Sequence, residues 1–278
     1  MTKFMREQFQ YISSSNLTGV SFLSVRMQEF TYSTHAHEEY SIGITRKGRQ
    51  DFFTNGVFHK SEAGNIIFFN PEQSHDGCAG GSDELEYDML YIPRETLINL
   101  MGSLGCISPN KTRLSDSLFR DELLARSIVS ACHHLELRSS IEEEAAFLSI
   151  THSVLRLGGG TLDTKKFFGR KDALLLRAQD FILSNIHQKL SIDDICQVAN
   201  MSKYHFIRVF NEQYGMTPHQ YVINCRLNRV KQQLEQGHQT TKIALELGFS
   251  DINHLNRQFR RVFGITAYQY QNQFLINS

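Results

Sequence analysis

A chain of 278 residues, 41% hydrophobic and 21% charged, with 29 basic side chains against 29 acidic ones, is long enough for two ordinary soluble domains. It contains no run of about eighteen apolar residues that would cross a membrane, and Met1 to Tyr11 lacks the apolar core of a signal peptide, so a cytoplasmic location is expected. The five cysteines (Cys78, Cys106, Cys132, Cys196 and Cys225) are odd in number, scattered and without Cys-x-x-Cys spacing, and read as reduced thiols. Zero net charge argues at first against a nucleic-acid partner, but residues 171–278 hold 12 of the 29 Lys plus Arg and 8 of the 29 Asp plus Glu, leaving 17 and 21 for residues 1–170. A mildly basic C-terminal part suits phosphate contacts; the acidic N-terminal part suits something else.

In chain order, strand-length runs come first: Val20–Met27, Ser41–Arg46, Gly48–Thr54, Gly56–Lys60, Asn65–Asn70 and Leu85–Ile92, bounded by Gly, Asn, Pro or Ser. Lys47-Gly48 and Asn55-Gly56 are hairpin turns. Short antiparallel strands at this spacing imply a small barrel or jelly roll. Within it lie His35-Ala36-His37-Glu38-Glu39-Tyr40 and Asn70-Pro71-Glu72-Gln73-Ser74-His75-Asp76-Gly77. This constellation resembles the cupin barrel. Two readings are open. Two histidines on one strand face plus a third from a neighbouring strand complete a metal site like those of cupin enzymes; however, the acid of that pattern would fall near Ser41 or Ile42, and Pro71 stands one residue too close to His75. The preferred reading is a metal-free pocket in which His35, His37, Glu39, Tyr40 and His75 orient a small polar ligand, with Phe53, Phe68 and Tyr91 in its walls. No cofactor, metal or catalytic residue is assigned.

Two amphipathic helices are predicted next, Asp116–His134 and Ile141–Leu157, the second opening on Glu142-Glu143-Glu144 where the helix dipole favours acids. Gly158-Gly159-Gly160-Thr161 breaks the pattern and starts a connector over 158–171 with Lys165, Lys166 and Arg170. A scaffolding helix, Asp172–His187, follows.

From Ile192 the chain repeats itself. His205 matches His254, Arg208 matches Arg257, Phe210 matches Phe259, Gly215 matches Gly264, Thr217 matches Thr266 and Tyr221 matches Tyr270, all at one offset. Each copy reads as a short apolar helix, a tight turn (Asn200-Met201, then Gly248-Phe249), a capping Ser202 or Ser250, and a longer helix. That is the helix-turn-helix plan. Phe206, Val209 and Phe210 pack inward in the first longer helix, and Leu255, Phe259 and Val262 in the second. Tyr204, Ile207, Arg208 and Asn211, and likewise Asn253, Asn256, Arg257 and Arg260, are left outward. Arg reads guanine bidentately, Asn reads adenine, and apolar atoms meet the thymine methyl, so both faces suit a major groove. Between the copies Pro218–Glu235 reads as one helix, capped by Thr217 and ended by Gly237, roughly 25 Å long. It holds the two reading helices about one DNA turn apart.

The motif residues Ile195-Cys196, Ser202, Tyr204-His205-Phe206, Arg208, Phe210, Gly215-Met216-Thr217-Pro218, Ile243-Ala244, Gly248-Phe249-Ser250, His254, Arg257, Phe259 and Gly264 resemble the DNA-binding domain of the AraC/XylS family of bacterial transcription regulators. Cys196, Leu255 and Ala267 depart from the pattern by small apolar changes. The resemblance implies an α+β chain: a cupin-like ligand-binding and dimerisation domain over 1–157 with an appended helix pair, a linker, and an all-α DNA-binding domain over 172–278 with two helix-turn-helix motifs. It implies double-stranded DNA as partner and a small-molecule effector, amino-acid-like by the His-x-His and Asn-Pro-x-x-x-His-Asp-Gly pattern. It further implies a homodimer through helices 116–134 and 141–157 and contact with RNA polymerase as an activator. A regulator controlled by a partner protein, or constitutive, is the alternative; a metal-dependent cupin enzyme fused to a DNA-binding module is a further one.

Overall fold

Period-two alternation of side chains between Ser21 and Ile92 builds two facing antiparallel sheets. The computed structural model describes residues 7–106, 113–138, 140–158, 170–188 and 190–276. Its strands are β1 (Gln8–Ser13), β2 (Ser21–Met27), β3 (Thr31–His35), β4 (Tyr40–Lys47), β5 (Arg49–Thr54), β6 (Val57–Glu62), β7 (Ile66–Phe69), β8 (His75–Ala79), β9 (Leu85–Ile92) and β10 (Leu118–Phe119). One sheet runs β1-β2-β9-β4-β7-β10 and the other β3-β8-β5-β6. The sequence reading lacks β1, β3, β8 and β10. Strand β8 hides inside the His75-Asp76-Gly77 motif, and the pairing of His35 with His75 across β3 and β8 is what makes both of them strands.

Strand β4 separates two apolar layers. Tyr40, Ile42 and Ile44 point away from the opposite sheet, with Ile66, Phe68, Leu90 and Ile92, under α1 (Arg94–Ser103), α2 (Glu122–Leu137) and α3 (Ser140–Leu157). Ser41 lies in register with Phe69 and Tyr91, and those two aromatic rings face the barrel interior with Phe52, Tyr32, Tyr87 and Met89. Helix α2 starts later than predicted. Leu118 and Phe119 pair with Ile67 and Ile66 as an edge strand, and Asp121, not a residue near 116, caps the helix by accepting from Leu124 N at 2.8 Å.

Most of the 158–171 connector, residues 159–169 with Lys165 and Lys166, lies outside the described residues. The chain resumes in α4 (Arg170–Ser184), α5 (Ile192–Val198), α6 (Lys203–Tyr214), α7 (Pro218–Glu235), α8 (Thr240–Glu246), α9 (Ile252–Phe263) and α10 (Ala267–Ile276). Thr217 and Gln220 form a capping box at the start of α7 with Pro218 in the first turn. Gly215 and Gly264 end α6 and α9 at φ 67° and 78°, where a left-handed residue closes the last turn.

The two parts of the chain are not beads on a string. One apolar cluster passes from Tyr11, Tyr32 and Tyr91 in the barrel into α7, α9 and α10. The Tyr11 hydroxyl donates to Phe263 O at 2.9 Å, its ring meets Tyr270 edge-on at 4.8 Å, and Gln273 exchanges hydrogen bonds with Tyr11 N and Phe9 O. Among the described residues no helix is long and apolar enough to cross a membrane.

Candidate DNA interface and ligand site

Helices α6 and α9 are each 12 residues long and sit in matching frames. Phe206, Val209 and Phe210 are buried under α6, and Leu255, Phe259 and Val262 under α9, each fully buried Phe contributing about 2–3 kcal/mol. The opposite faces stay in solvent: Tyr204 is 82% exposed, and Arg208, Asn253, Arg257 and Arg260 are exposed.

The two faces differ in detail. Arg208 forms an ion pair with Glu212 one turn on, at 2.9 Å, whereas neither Arg257 nor Arg260 lies within ion-pair distance of a carboxylate among the described residues. Ile207 is half-buried in an apolar groove with Ile192, Ile195, Pro218 and Val222. Asn211 falls at the C-terminal end of α6 and faces the barrel across a cleft. Asn256 is committed locally: its Oδ1 accepts from Ala267 N at 3.1 Å, which ties α9 to the start of α10 and leaves the amide nitrogen for other partners.

The caps differ too. Ser202 precedes α6 in extended conformation without a side-chain cap hydrogen bond, so its hydroxyl and the first N–H groups of α6 are available to an anion. Ser250 is not the cap of α9. The extra residue Asp251 takes that position and accepts from His254 N at 2.7 Å, while the Ser250 hydroxyl donates to Asp251 Oδ2. A carboxylate satisfies this helix end in place of a phosphate.

A residue that the sequence reading passed over fixes the two copies together. Arg226 of α7 is buried; its Nε donates to Ile186 O at 2.9 Å, and its terminal nitrogens donate to Gly248 O at 3.0 Å and Gln188 O at 2.6 Å. It thus links the entry to the first motif with the turn of the second. Gly248, at φ 71°, passes so close that a Cβ there would lie 2.8 Å from the guanidinium.

On the barrel side, His35, His37 and His75 converge and are buried, their candidate ligand nitrogens within 4.8 Å of one another. His35 Nδ1 lies 2.7 Å from Ser33 O and His75 Nδ1 2.9 Å from Gln73 O. A carbonyl only accepts, so both Nδ1 atoms carry the proton and both Nε2 atoms keep a lone pair. His75 stacks on Phe69 at 3.7 Å, and His37 meets Tyr91 at 4.9 Å. Burial lowers the pKa of His35 to about 4 and those of His37 and His75 well below the ordinary value, so all three rings are neutral near pH 7.

The other expected pocket residues scatter. Tyr40 and Phe68 lie in the layer beneath the helices, because one step along a strand reverses the face; Phe69, in register with Ser41, is the inward neighbour. Phe53 is 47% exposed at the rim. Glu39 is ion-paired with Lys231 of α7, and burial acts against its charge while Lys231 outweighs that and lowers its pKa. Tyr91 stands beside the histidines, with Lys231 Nζ 5.3 Å from its ring centre.

The loop carrying the histidines is gripped by α7. Ala36 N donates to Asn224 Oδ1 at 3.0 Å, and Ala36 O accepts from Asn224 and Asn228, both at 3.1 Å. Asn224, Asn228 and Lys231, four and three residues apart, interrupt the apolar side of α7 with a polar stripe. That interruption is the sequence signal that this helix docks on something polar. Beside the grip opens a cleft of about 770 Å³ between the barrel rim (Phe53, Gln73, Ser74, Asp76 and Arg113) and the end of α6 (Asn211, Tyr214 and Gly215).

Two family models match: an AraC-like ligand binding domain over residues 17–150 and a helix-turn-helix domain over 195–273. The probable transcriptional regulator LumQ of Photobacterium leiognathi is 32% identical over 245 residues, 87% of this chain and 92% of its own. The HTH-type transcriptional regulator YbfI of Bacillus subtilis is 26% identical, with 82% of each chain covered. In fold, the crystal structure of ToxT from Vibrio cholerae is similar with a TM-score of 0.56 at 15% identity, over 91% of this chain and 98% of that one. Paired reading helices on a shared frame, a barrel docked on the helix between them, and these full-length similarities identify the chain as a member of the AraC/XylS family of DNA-binding transcription regulators, with an N-terminal ligand-binding domain.

Proposed function

We propose that a small molecule controls this regulator by acting where the barrel rim meets the end of α6, beside the grip on α7, and that the protein works as a homodimer recruiting RNA polymerase at its promoters. The observation that carries this reading is the grip on Ala36 together with the Glu39–Lys231 pair. A ligand that favours the gripped over the released arrangement changes how α6 and α9 are presented to DNA. Only a difference in affinity between the two arrangements produces such a shift.

The effector is assigned to the rim cleft, beside a barrel interior lined by aromatic rings, Met89 and the histidines. Asp76 and Arg113 in its walls offer partners to the two ends of a zwitterion, in keeping with an amino-acid-like effector. Leu123, Val129 and Leu137, all more than half exposed along one side of α2, support a dimer through the α2–α3 pair. The chemistry is binding and presentation; no catalytic step is needed.

Thermal melting of the full chain against amino acids, sugars and small organic acids tests the effector reading. A ligand at 100 times its Kd adds about 2.7 kcal/mol of stability, and the same ligand should change the affinity for promoter DNA selected from a random pool. The buried aromatic lining of the barrel interior favours one other reading, control by a partner protein or none. A complete absence of stabilising ligands, with DNA binding intact, would establish it.

A further inference from the structure

Three imidazoles converging in one buried cluster need a reason, because no carboxylate or ammonium group is hydrogen-bonded to them among the described residues. We propose that His35, His37 and His75 bind one divalent transition-metal ion of the zinc, nickel or cobalt class, in every copy of this chain. The claim is independent of the effector reading above. It also departs from the metal-free pocket expected from the sequence.

The donor set fits such an ion. All three ligand nitrogens lie within 4.8 Å of one another, a span one ion can bridge with small movements of the rings. The Nδ1–H groups of His35 and His75 are used on backbone carbonyls, which fixes the ring orientation, leaves Nε2 as the ligand atom and raises its basicity, as outer partners do in metal centres. Three nitrogens with no thiolate and no carboxylate select against magnesium and calcium, which take oxygen ligands. They also leave a fourth position for water or a small anion.

The acid missing from the sequence pattern is used elsewhere. Glu39, two residues beyond His37, turns to Lys231 instead of the histidines, and positions 41 and 42 are Ser and Ile. The cluster is therefore a three-nitrogen site, and the loop that supplies two of its ligands is the loop held by Asn224 and Asn228 through Ala36. Peptide His37 O, which accepts from Glu72 N at 2.7 Å, ties the same loop to the segment leading into His75. An ion on the three rings pins together the two barrel segments against which α7 rests.

The test uses full-length protein stripped with a chelator, dialysed, loaded with cobalt(II) and passed through a desalting column. One equivalent of cobalt per chain should remain, with the visible ligand-field bands of a low-coordinate site, and one equivalent of zinc should bleach them and raise the melting temperature. His37→Asn and His75→Asn should retain no stoichiometric cobalt, whereas His133→Asn, at an exposed position of α2, should retain a full equivalent. Absence of retained cobalt in folded wild type, or retention unchanged in His37→Asn, would overturn the proposal. If the barrel variants fail to fold, X-ray absorption at the zinc edge of the wild type decides: three imidazole ligands support the site, and fewer than three refute it.

Discussion

The two helix-turn-helix motifs have the same frame and different chemistry. Both reading helices bury a Phe-rich face, both run 12 residues and both end on a left-handed glycine. Yet α6 offers a tyrosine, an apolar Ile207 and an arginine already paired with Glu212, behind an uncapped N-terminus. Helix α9 offers Arg257 and Arg260 with no carboxylate within ion-pair distance among the described residues, behind an N-terminus closed by Asp251. The first copy leaves its helix start open and presents a mixed face; the second closes its start with a carboxylate and presents arginines. The two copies match at their packed positions, where changes are costly, and differ on their solvent faces.

The comparison can be broken most forcefully at Arg226, which spans the two motifs. Arg226→Ala removes three hydrogen bonds from a buried guanidinium to backbone carbonyls and should cost about 3 kcal/mol of stability, seen as a lower melting temperature and loss of specific DNA binding together. Next in size is Arg257→Ala, which should weaken specific binding by about 2 kcal/mol, within the range of one base-pair contact, while fluorescence-anisotropy titration with unrelated DNA changes little. Arg208→Ala should cost about 1 kcal/mol, because Arg208 gives up Glu212 to reach DNA; Glu212→Gln should recover part of that difference by tightening the wild-type contact. The smallest effect is expected at Asp251. Asp251→Asn keeps a capping acceptor and removes the negative charge, so affinity should rise by a few tenths of a kcal/mol and the slope of affinity against salt should steepen. Equal losses at Arg208 and Arg257 would show that the two faces contribute alike and that the Glu212 pair is incidental.

Much of this was legible without coordinates, and the reason is local. The repeat, the inward Phe positions, Thr217-Pro218 at the head of α7 and Gly215 and Gly264 at the helix ends all report on contacts a few residues apart, where helical spacing dictates the neighbour. Errors arose where one residue changes the outcome. The extra residue after Ser250 moved the cap to Asp251. A single step along β4 and β7 sent Tyr40 and Phe68 under the helices and brought Phe69 to His75, since adjacent strand residues face opposite sides. The helix predicted from Asp116 lost its first turn to pairing of Leu118 and Phe119 with β7.

The sequence by itself determined that there are two reading helices on one connecting helix, which side of each is apolar, and that His35, His37 and His75 are candidates for a common site. Only the tertiary structure decided that the barrel grips α7 through Ala36 and Glu39, that Arg226 joins the two motifs, and that Asn256 is occupied by Ala267. These contacts join residues as much as about 190 positions apart in the chain, and no spacing rule reaches that far: helix and strand periodicity constrain which way a side chain points, whereas what it meets there depends on how the elements pack.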